Sequence, residues 1–392
     1  MEIDIQDEIN KDDIVFYSVL YSTVTLAFAI AVVSKFFTNE FRFGFRSFLT
    51  LIILFLGEPL CQFLVKGPQG LLLFSVGCLI IYSILPANHL PADKKSVLIT
   101  GCDSGFGNAL ALKLDSLGMQ VFAGCLDEQG AGAKDLKSKC SDRLKLLRLD
   151  VTKPKDIEAA ASLIKSAVGD EGLWGLVNNA GVWYFADLEI TSDQILQKVM
   201  DVNLFGAIRL TKAVLPLIKQ AHGRIINVSS LLGRISLEGN GAYSMSKHAL
   251  VAFSNTLRLE MKKWEVDVSI VEPIAYYTGN MQGAALMERK EELWDSLNEE
   301  TKKIYNKAYL DDAYSHLDSS FQKYSKDLSP VIRCMRSALL SKRPKERYPC
   351  DTGAEILFFL CPLLPVWLAD CLSNSICVLP RRLRLNAYCE GK

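Results

Sequence analysis

The sequence has no surplus of charge of either sign: 44 Lys and Arg residues balance 44 Asp and Glu residues. A chain that grips nucleic acid carries a basic field, so this balance excludes that class of partner. The chain also lacks paired cysteines. It has 11 cysteines in 392 residues but no CxxC. Cys61 and Cys78 sit in apolar runs and Cys102 in a glycine-rich turn, a scatter that fits reduced thiols better than a disulfide framework. The histidines, His89, His222, His248 and His316, do not cluster, so no zinc or other metal site is expected. Missing too is the Arg-rich, acid-poor opening of a mitochondrial transit peptide. The chain begins with Glu2, Asp4, Asp7, Glu8, Asp12 and Asp13 against Lys11.

Long apolar runs, by contrast, crowd the N-terminal quarter. Ile14 to Ser34 is 21 residues without a charge, and a bilayer crossing takes about 20. Ser47 to Val65 is interrupted by Glu58 and Pro59, and Gly70 to Leu85 is apolar again, closed by Pro86. Two spans are expected, with the middle run crossing or not. No small-residue cleavage site follows the first run, so a retained anchor is expected and not a signal peptide. Lys35, Arg42 and Arg46 separate the first two runs, and Lys94 and Lys95 follow the third. If the middle run does not fully cross, both basic clusters share the cytosolic face and the acidic tail is lumenal. A full crossing leaves the clusters competing and the sidedness open.

From Lys94 onward short apolar runs alternate with amphipathic helices, which predicts a doubly wound parallel sheet covered on both faces. Val97-Leu98-Ile99 ends at Thr100, then come Gly101, Gly105 and Gly107, then Leu110, Ala111 and Leu114 at helical spacing. This is strand, tight turn, helix. Missing side chains let a pyrophosphate approach the backbone, and the helix N-terminus points N–H dipoles at its charge. Gln120 to Leu126 is the second strand. It ends at Cys125 or Leu126, with Asp127 beyond, and offers no Arg or Lys for a ribose 2′-phosphate. Asp103, within the glycine turn, would repel such a phosphate, so NAD is expected over NADP; the same Asp103 could simply cap the helix. Leu144 to Leu149 is the third strand, ending in Asp150-Val151, where a carboxylate either meets an adenine edge or makes a turn. A helix over Pro154 to Val168 leads to a fourth strand, Leu173 to Val177, and to Asn178-Asn179-Ala180-Gly181. Small residues there leave room for a nicotinamide ribose, and asparagine can bond across neighbouring strands.

A long helix is expected over Gln194 to Lys219, with Asn203 inside it, a residue mildly unfavourable there unless it has a task. Arg224 to Val228, the fifth strand, delivers Ser229-Ser230, and Tyr243 and Lys247 follow at i and i+4. That spacing puts both on one helix face. A cation beside a phenol of ordinary pKa near 10 favours phenolate and makes it a usable base. Ser230 would bond the substrate oxygen.

In these residues the chain resembles the short-chain dehydrogenase/reductases, over about Lys95 to Thr278. The matching motifs are the turn from Thr100 to Gly107, Asp150, the asparagine-rich stretch to Gly181, Asn203, Ser230, Tyr243 and Lys247. TGCDSGFG, VFAGCL, GLWGLVNNAG, the SPV at Ser329 and LPRRLRL resemble a narrower group. It holds type 2 11β- and 17β-hydroxysteroid dehydrogenases, retinol dehydrogenases and D-β-hydroxybutyrate dehydrogenase. The resemblance implies a Rossmann-type fold and a tetrad. Tyr243 is base or acid, Lys247 binds the nicotinamide ribose and lowers the tyrosine pKa, Ser230 positions the hydroxyl, and Asn203 holds a relay water. It implies NAD bound by Gly101, Asp103, Ser104, Gly105, Phe106, Gly107, Asp150, Val151, Asn178, Ala180, Gly181, Tyr243, Lys247, Pro273 and Thr278. One departure stands out: Ile274 follows Glu272-Pro273 where the family often has glycine, which puts the nicotinamide pocket's shape in question.

The expected organisation is an anchor over 1–92, a catalytic domain over 93–278, a helical segment over 279–350 and an apolar tail over 351–392. Gly279 to Ser329 would cover the active site, with Trp294, Tyr305, Tyr309, Tyr314 and Phe321; the alternative is a solvated helical pair. Ile356 to Leu368 is apolar but broken by Pro362 and Pro365, too short to span, and suits a membrane surface. Arg381, Arg382 and Arg384 could meet lipid headgroups or be a solvated run. The expected function is a membrane-anchored, NAD-dependent oxidation of a hydrophobic secondary alcohol, steroid- or retinoid-like, at the endoplasmic reticulum with the catalytic domain facing the cytosol. The expected partners are that alcohol, the bilayer and a second copy in a homodimer. Two alternatives stand beside it: a hydroxy-acid dehydrogenase, and a scaffold that kept the fold without turnover.

Overall fold

The computed structural model describes residues 11–37, 50–65, 67–84, 89–279, 283–350, 363–368 and 370. Arg42, Arg46, most of the apolar stretch from Ile356 and the arginines at 381, 382 and 384 lie outside them. The chain forms two compact units that divide at Leu90 and Pro91, with residues Ser341–Arg343 grouped with the first.

Among the described residues the N-terminal unit shows three helices, α1 (Lys11–Phe37), α2 (Thr50–Leu64) and α3 (Pro68–Ile84). Within α1, Val15–Val33 is long and apolar enough to cross a membrane; α2 and α3 are shorter. Glu58 and Pro59 do not end α2, which carries a π-helical segment over Ile53–Gly57 just before them. Thr25 donates to Glu58 Oε2 at 2.9 Å, which explains how a carboxylate is tolerated among apolar helices. Tyr21, Phe28, Val32, Phe74, Cys78 and Ile81 close a small core, while Val15, Val19, Leu26 and Ile30 point outward, each about 60% exposed.

The second unit is a seven-stranded parallel sheet in the order β3-β2-β1-β4-β5-β6-β7. Its strands are β1 (Ser96–Thr100), β2 (Gln120–Cys125), β3 (Leu144–Arg148), β4 (Gly175–Asn178), β5 (Arg224–Val228), β6 (Asp267–Glu272) and β7 (Arg347–Pro349). The connecting helices are α4 (Gly105–Ser116), α5 (Ala131–Lys139), α6 (Pro154–Val168), α7 (Asp193–Met200), α8 (Ala207–Gln220) and α9 (Gly241–Met261). Beyond β6 come α10 (Gly283–Asp295), α11 (Glu299–Ile304), α12 (Lys307–Phe321) and α13 (Ser329–Leu340).

Both faces of the sheet are covered, as near-continuous apolar strands require. Val97 and Ile99 of β1 pack with Leu110 and Leu114 of α4 and Val331 and Met335 of α13. Leu98, pointing the other way, packs with Ile157 and Ile164 of α6 and Leu210 and Val214 of α8. The strand order reverses between β1 and β4, and in open sheets of this kind the ligand crevice opens there, at the strands' carboxyl ends. The expected single helix over Gln194–Lys219 is α7 and α8 joined by a π turn, Asp201–Gly206. Such turns widen a helix where a site needs it, and this one contains Asn203.

Candidate functional site

The three turn glycines each have a distinct reason. Gly101 and Gly105 have φ of 69° and 62°, where a Cβ is strained. A Cβ on Gly107 would lie 2.3 Å from the Gly101 carbonyl oxygen. The turn is tied from below by Asn179, whose Nδ2 donates to Thr100 O at 2.8 Å and to Gly101 O at 3.2 Å. Thr100 Oγ1 in turn accepts from the N–H groups of Asn179 and Ala180. The segment after β6 closes over the same turn. A Cβ on Gly105 would be 3.5 Å from Thr278 Cβ, and one on Gly279 would be 2.9 Å from Ser104 Oγ. This backbone cradle fits a dinucleotide's phosphates.

Asp103 does not cap α4; Ser104 occupies the N-cap, without a side-chain bond. Instead Asp103 accepts from Leu126 N at 3.0 Å and Asp127 N at 3.1 Å, which nails its carboxylate to the end of β2. Burial pushes the Cys125 thiol up to about 12, and Asp103, Glu128 and Asp127 reinforce that shift. Three carboxylates therefore set a negative field where β2 ends.

Several expected cofactor residues turn their side chains into the protein. Asn178 Nδ2 donates to Asn227 Oδ1 at 2.8 Å, across the β4–β5 ladder, and to Thr211. Val151 is 5% exposed, and a Cβ on Gly206 would be 2.6 Å from its Cγ2. Phe106 meets Tyr276 edge-on at 5.6 Å. Asp150 makes the turn reading good: its Oδ1 accepts from Thr152 N and Oγ1 at 2.9 and 2.7 Å. For these four, side-chain placement is accounted for by packing and turn geometry. Pro273 is buried, and its carbonyl accepts from Leu231 N at 3.0 Å. Ile274 packs against the apolar layer that holds Val228 and Tyr276, which gives its β-branch a place in the core.

At the end of β5 the polar residues do come together. Ser230 opens a 3₁₀ turn, Leu231–Gly233, and its hydroxyl accepts from Leu232 N at 3.2 Å. Tyr243 and Lys247 stand one turn apart on α9, with Lys247 Nζ 5.4 Å from the Tyr243 ring centre. Lys247 is 4% exposed and donates to Val228 O at 2.8 Å. A Cβ on Gly181 would lie 3.8 Å from that Nζ and 3.3 Å from Asn203 Oδ1. Gly181, Lys247 and Asn203 thus share one wall. Asn203 has both ends of its amide engaged: Oδ1 accepts from Val182 N at 2.8 Å, and Nδ2 donates to Val182 O and to Ser246 Oγ. It clamps the segment after β4.

The electrostatics run against the simplest expectation. Burial pushes the Tyr243 phenol up to about 12, with the Ser230 hydrogen bond opposing it. Burial pulls the Lys247 amine down to about 8. Burial is the leading cause of both shifts, and the Lys247 amine donates to the Val228 carbonyl beside the phenol.

The helical segment is not a solvated pair. Leu286, Leu293, Tyr305, Leu310, Tyr314, Leu317 and Phe321 form a third core with Trp183, Phe185 and Ile195, and Tyr243 packs against it. Trp294 and Tyr309 sit at its margin. Sequence reasoning also missed Glu272, fully buried at the end of β6 between Arg234 and Arg347. Its signal was present: a carboxylate closing an apolar strand, DVSIVE, needs a counter-charge.

A family profile described as short chain dehydrogenase matches residues 95–289. The chain is 43% identical over 283 residues to mouse (Mus musculus) retinol dehydrogenase 7, covering 72% of this chain and 88% of that protein. It is 45% identical over 279 residues to 17-beta-hydroxysteroid dehydrogenase type 6 of Rattus norvegicus, covering 71% and 87%. The human (Homo sapiens) 17-beta-hydroxysteroid dehydrogenase type 2 is 37% identical over 335 residues. That match covers 84% of this chain, more than the residues after Leu90 can supply, and 87% of that protein. Among solved structures, a short-chain dehydrogenase/reductase from Burkholderia phymatum in complex with NAD superposes with a TM-score of 0.59 at 25% identity, over 69% of this chain and 94% of the other.

Proposed function

From the premise that the chain belongs to the short-chain dehydrogenase family, oxidoreductases that act on CH–OH groups with a nicotinamide dinucleotide, we propose that it oxidises a hydrophobic secondary alcohol, steroid- or retinoid-like, with NAD. The observation that carries this is the position of Tyr243, whose phenol the Ser230 hydroxyl acts to hold down on one side and which packs against an aromatic core on the other. An apolar alcohol brought there buries its body against Trp183, Phe185 and Phe321 and presents its hydroxyl to Ser230. Tyr243 then takes the proton. Bound NAD would receive the hydride from the carbinol carbon. Ser230 stabilises the phenolate that Tyr243 must become, and Lys247, held by Val228 O, supplies a positive charge next to both the ring and Gly181. Asn203 fixes the segment from Val182 that forms the opposite wall.

The three carboxylates at the end of β2 favour NAD over NADP, since a 2′-phosphate would be placed beside Asp103. The outward apolar flank of α1 supports a membrane anchor. In this reading residues 1–92 anchor a catalytic domain over 93–278, a covering segment over 279–350 and a membrane-associated tail, at the endoplasmic reticulum and facing the cytosol. Exposed Phe205, Met245 and Leu259 supply apolar surface for a homodimer.

The test is a substrate panel with purified, detergent-solubilised protein: 17β-estradiol, all-trans-retinol and 3-hydroxybutyrate, each with NAD or NADP, for wild type and Tyr243→Phe. Turnover of estradiol or retinol with NAD, lost by at least 1,000-fold in Tyr243→Phe, is expected. Turnover of 3-hydroxybutyrate alone selects the hydroxy-acid alternative. No turnover of any member, with NADH still bound, selects the scaffold.

A further inference from the structure

We propose that Glu272 and Arg234 are positioning residues that hold Ser230 against Tyr243, through a fork of hydrogen bonds from β6 to the Ser230 turn. The inference rests on the proposed proton transfer at Tyr243, and concerns residues outside the proposed tetrad.

Glu272 is 0% exposed at its side chain, and Arg234 is 16%. Arg234 Nε donates to Glu272 Oε1 at 2.9 Å and Arg234 Nη2 to Oε2 at 2.5 Å, the bidentate geometry that fixes orientation as well as distance. Arg347 Nη1, from β7, donates to Oε1 at 2.9 Å on the far side. Arg234 is the C-cap of the 3₁₀ turn that Ser230 opens, and the turn is internally stiff. Gly233 N donates to Ser230 O at 3.0 Å and Arg234 N to Leu231 O at 2.9 Å. The N-terminal end of the turn is tied to β6 and the residue after it by backbone bonds, Ser229 N to Val271 O and Leu231 N to Pro273 O. The fork ties the other end to the same strand. With both ends fixed, the turn cannot pivot about Ser230. Its floor is equally tight: a Cβ on Gly233 would be 2.5 Å from Ser229 Oγ and 3.2 Å from Lys247 O.

A buried carboxylate between two arginines is a costly device for mere stability, since an apolar filling often does as well. What the apolar filling cannot supply is direction. The Ser230 hydroxyl acts against the upward push of burial on the Tyr243 phenol. A displaced turn would carry the Ser230 hydroxyl away from the phenol and weaken that effect.

The experiment compares Arg234→Lys with Arg347→Lys, both of which keep the charge, using the panel alcohol that turns over fastest. Arg234→Lys loses the fork on the Ser230 side; Arg347→Lys disturbs the same carboxylate from β7. Expected for Arg234→Lys is a fall in kcat of at least tenfold at pH 7 and an ascending limb of the pH–rate profile moved to higher pH. NAD affinity by fluorescence titration, alcohol KM and the melting temperature stay near wild type. Arg347→Lys keeps kcat within threefold. Should Arg234→Lys not fold, the double variant Arg234→Gln/Glu272→Gln removes fork and carboxylate together and is expected to show the same loss of kcat. Wild-type kcat in Arg234→Lys or in the double variant overturns the proposal, as does an equal fall in Arg347→Lys. Activity that survives Tyr243→Phe overturns the proton-transfer reading instead.

Discussion

The glycine turn and the aromatic cluster of the sheet unit, the two ends of the proposed site, are built by opposite means. At the β1–β2 end the shape comes from side chains that are missing. Gly101 and Gly105 take positive φ, Gly107 sits against a carbonyl, and Thr278 and Gly279 close from above. At the α9–α12 end the shape comes from side chains that are large. Trp183 and Phe321 meet at 5.6 Å between ring centres, and Trp183 and Phe185 at 6.1 Å. Tyrosine hydroxyls tie this end across long sequence distances, Tyr184 to Glu292, Tyr305 to Glu189 and Tyr314 to Phe185 O. A backbone cradle recognises what dinucleotides share. In the proposed reading the aromatic wall takes the outline of one ligand, and a change in one ring alters that outline without touching the cradle.

This difference predicts which constant each substitution moves. The largest effect belongs to Gly107→Ala. Its Cβ would meet the Gly101 carbonyl at 2.3 Å, and backbone cannot swing aside as a side chain can. NADH binding, read by fluorescence titration, should fall by more than 100-fold. Next comes Phe321→Ala. Phe321 is 4% exposed, so its removal should cost about 3–5 kcal/mol of stability, seen as a lowered urea midpoint. In the folded protein it should raise alcohol KM about tenfold, a change of about 1.4 kcal/mol, while NADH affinity stays put. If Phe321→Ala weakens NADH as much as alcohol, the two ends are one mechanical piece and the comparison fails.

The cradle was legible because absence is itself written in a sequence: three glycines after a strand leave few structural alternatives. Tyr243 and Lys247 were legible because four residues make one helical turn. Strand edges were readable to within a residue or two, as with β2 ending at Cys125 and β4 beginning at Gly175. The substrate end was not legible. Tyr184 and Glu292 are 108 residues apart and Tyr314 and Phe185 are 129, so nothing local marks them as neighbours. Glu272 had the same fault, with partners 38 and 75 residues away. The upward shift of the Tyr243 phenol was hidden for the same reason, since the core that buries it joins Trp183 and Phe185 to residues beyond Gly283.

Lys247 lies at the seam, and its effect on stability has a definite sign. Burial holds the folded amine at about 8, against 10.5 unfolded. Between these values the unfolded chain binds the extra proton, so stability contributed at this site rises with pH through that window and is lost as pH falls through 8. Lys247→Met should therefore abolish turnover and flatten the rise. The check is urea unfolding of both proteins from pH 7 to 9.5. A parallel rise in the variant would assign the slope to other groups.

The smallest expected effect is at the margin of the aromatic end, in Tyr309→Phe. Tyr309 Oη donates to Asp187 Oδ2 at 3.1 Å. Burial pushes the Asp187 carboxyl up and the Tyr309 bond holds it down. Removing the hydroxyl keeps the ring, so the apolar packing is unchanged and the loss is one hydrogen bond to a carboxylate, about 1.5 kcal/mol. The bond favours the charged form, so the cost is full at pH 7 and shrinks as pH falls through the raised Asp187 value. Melting temperatures at pH 7 should differ by about 3–6 °C and draw together in acid. Neither NADH affinity nor alcohol KM should move by more than about twofold, equivalent to about 0.4 kcal/mol. A tenfold change in KM from this hydroxyl would extend the substrate-recognition wall to the outer helices, and the boundary between shape and scaffold would then lie beyond Tyr314.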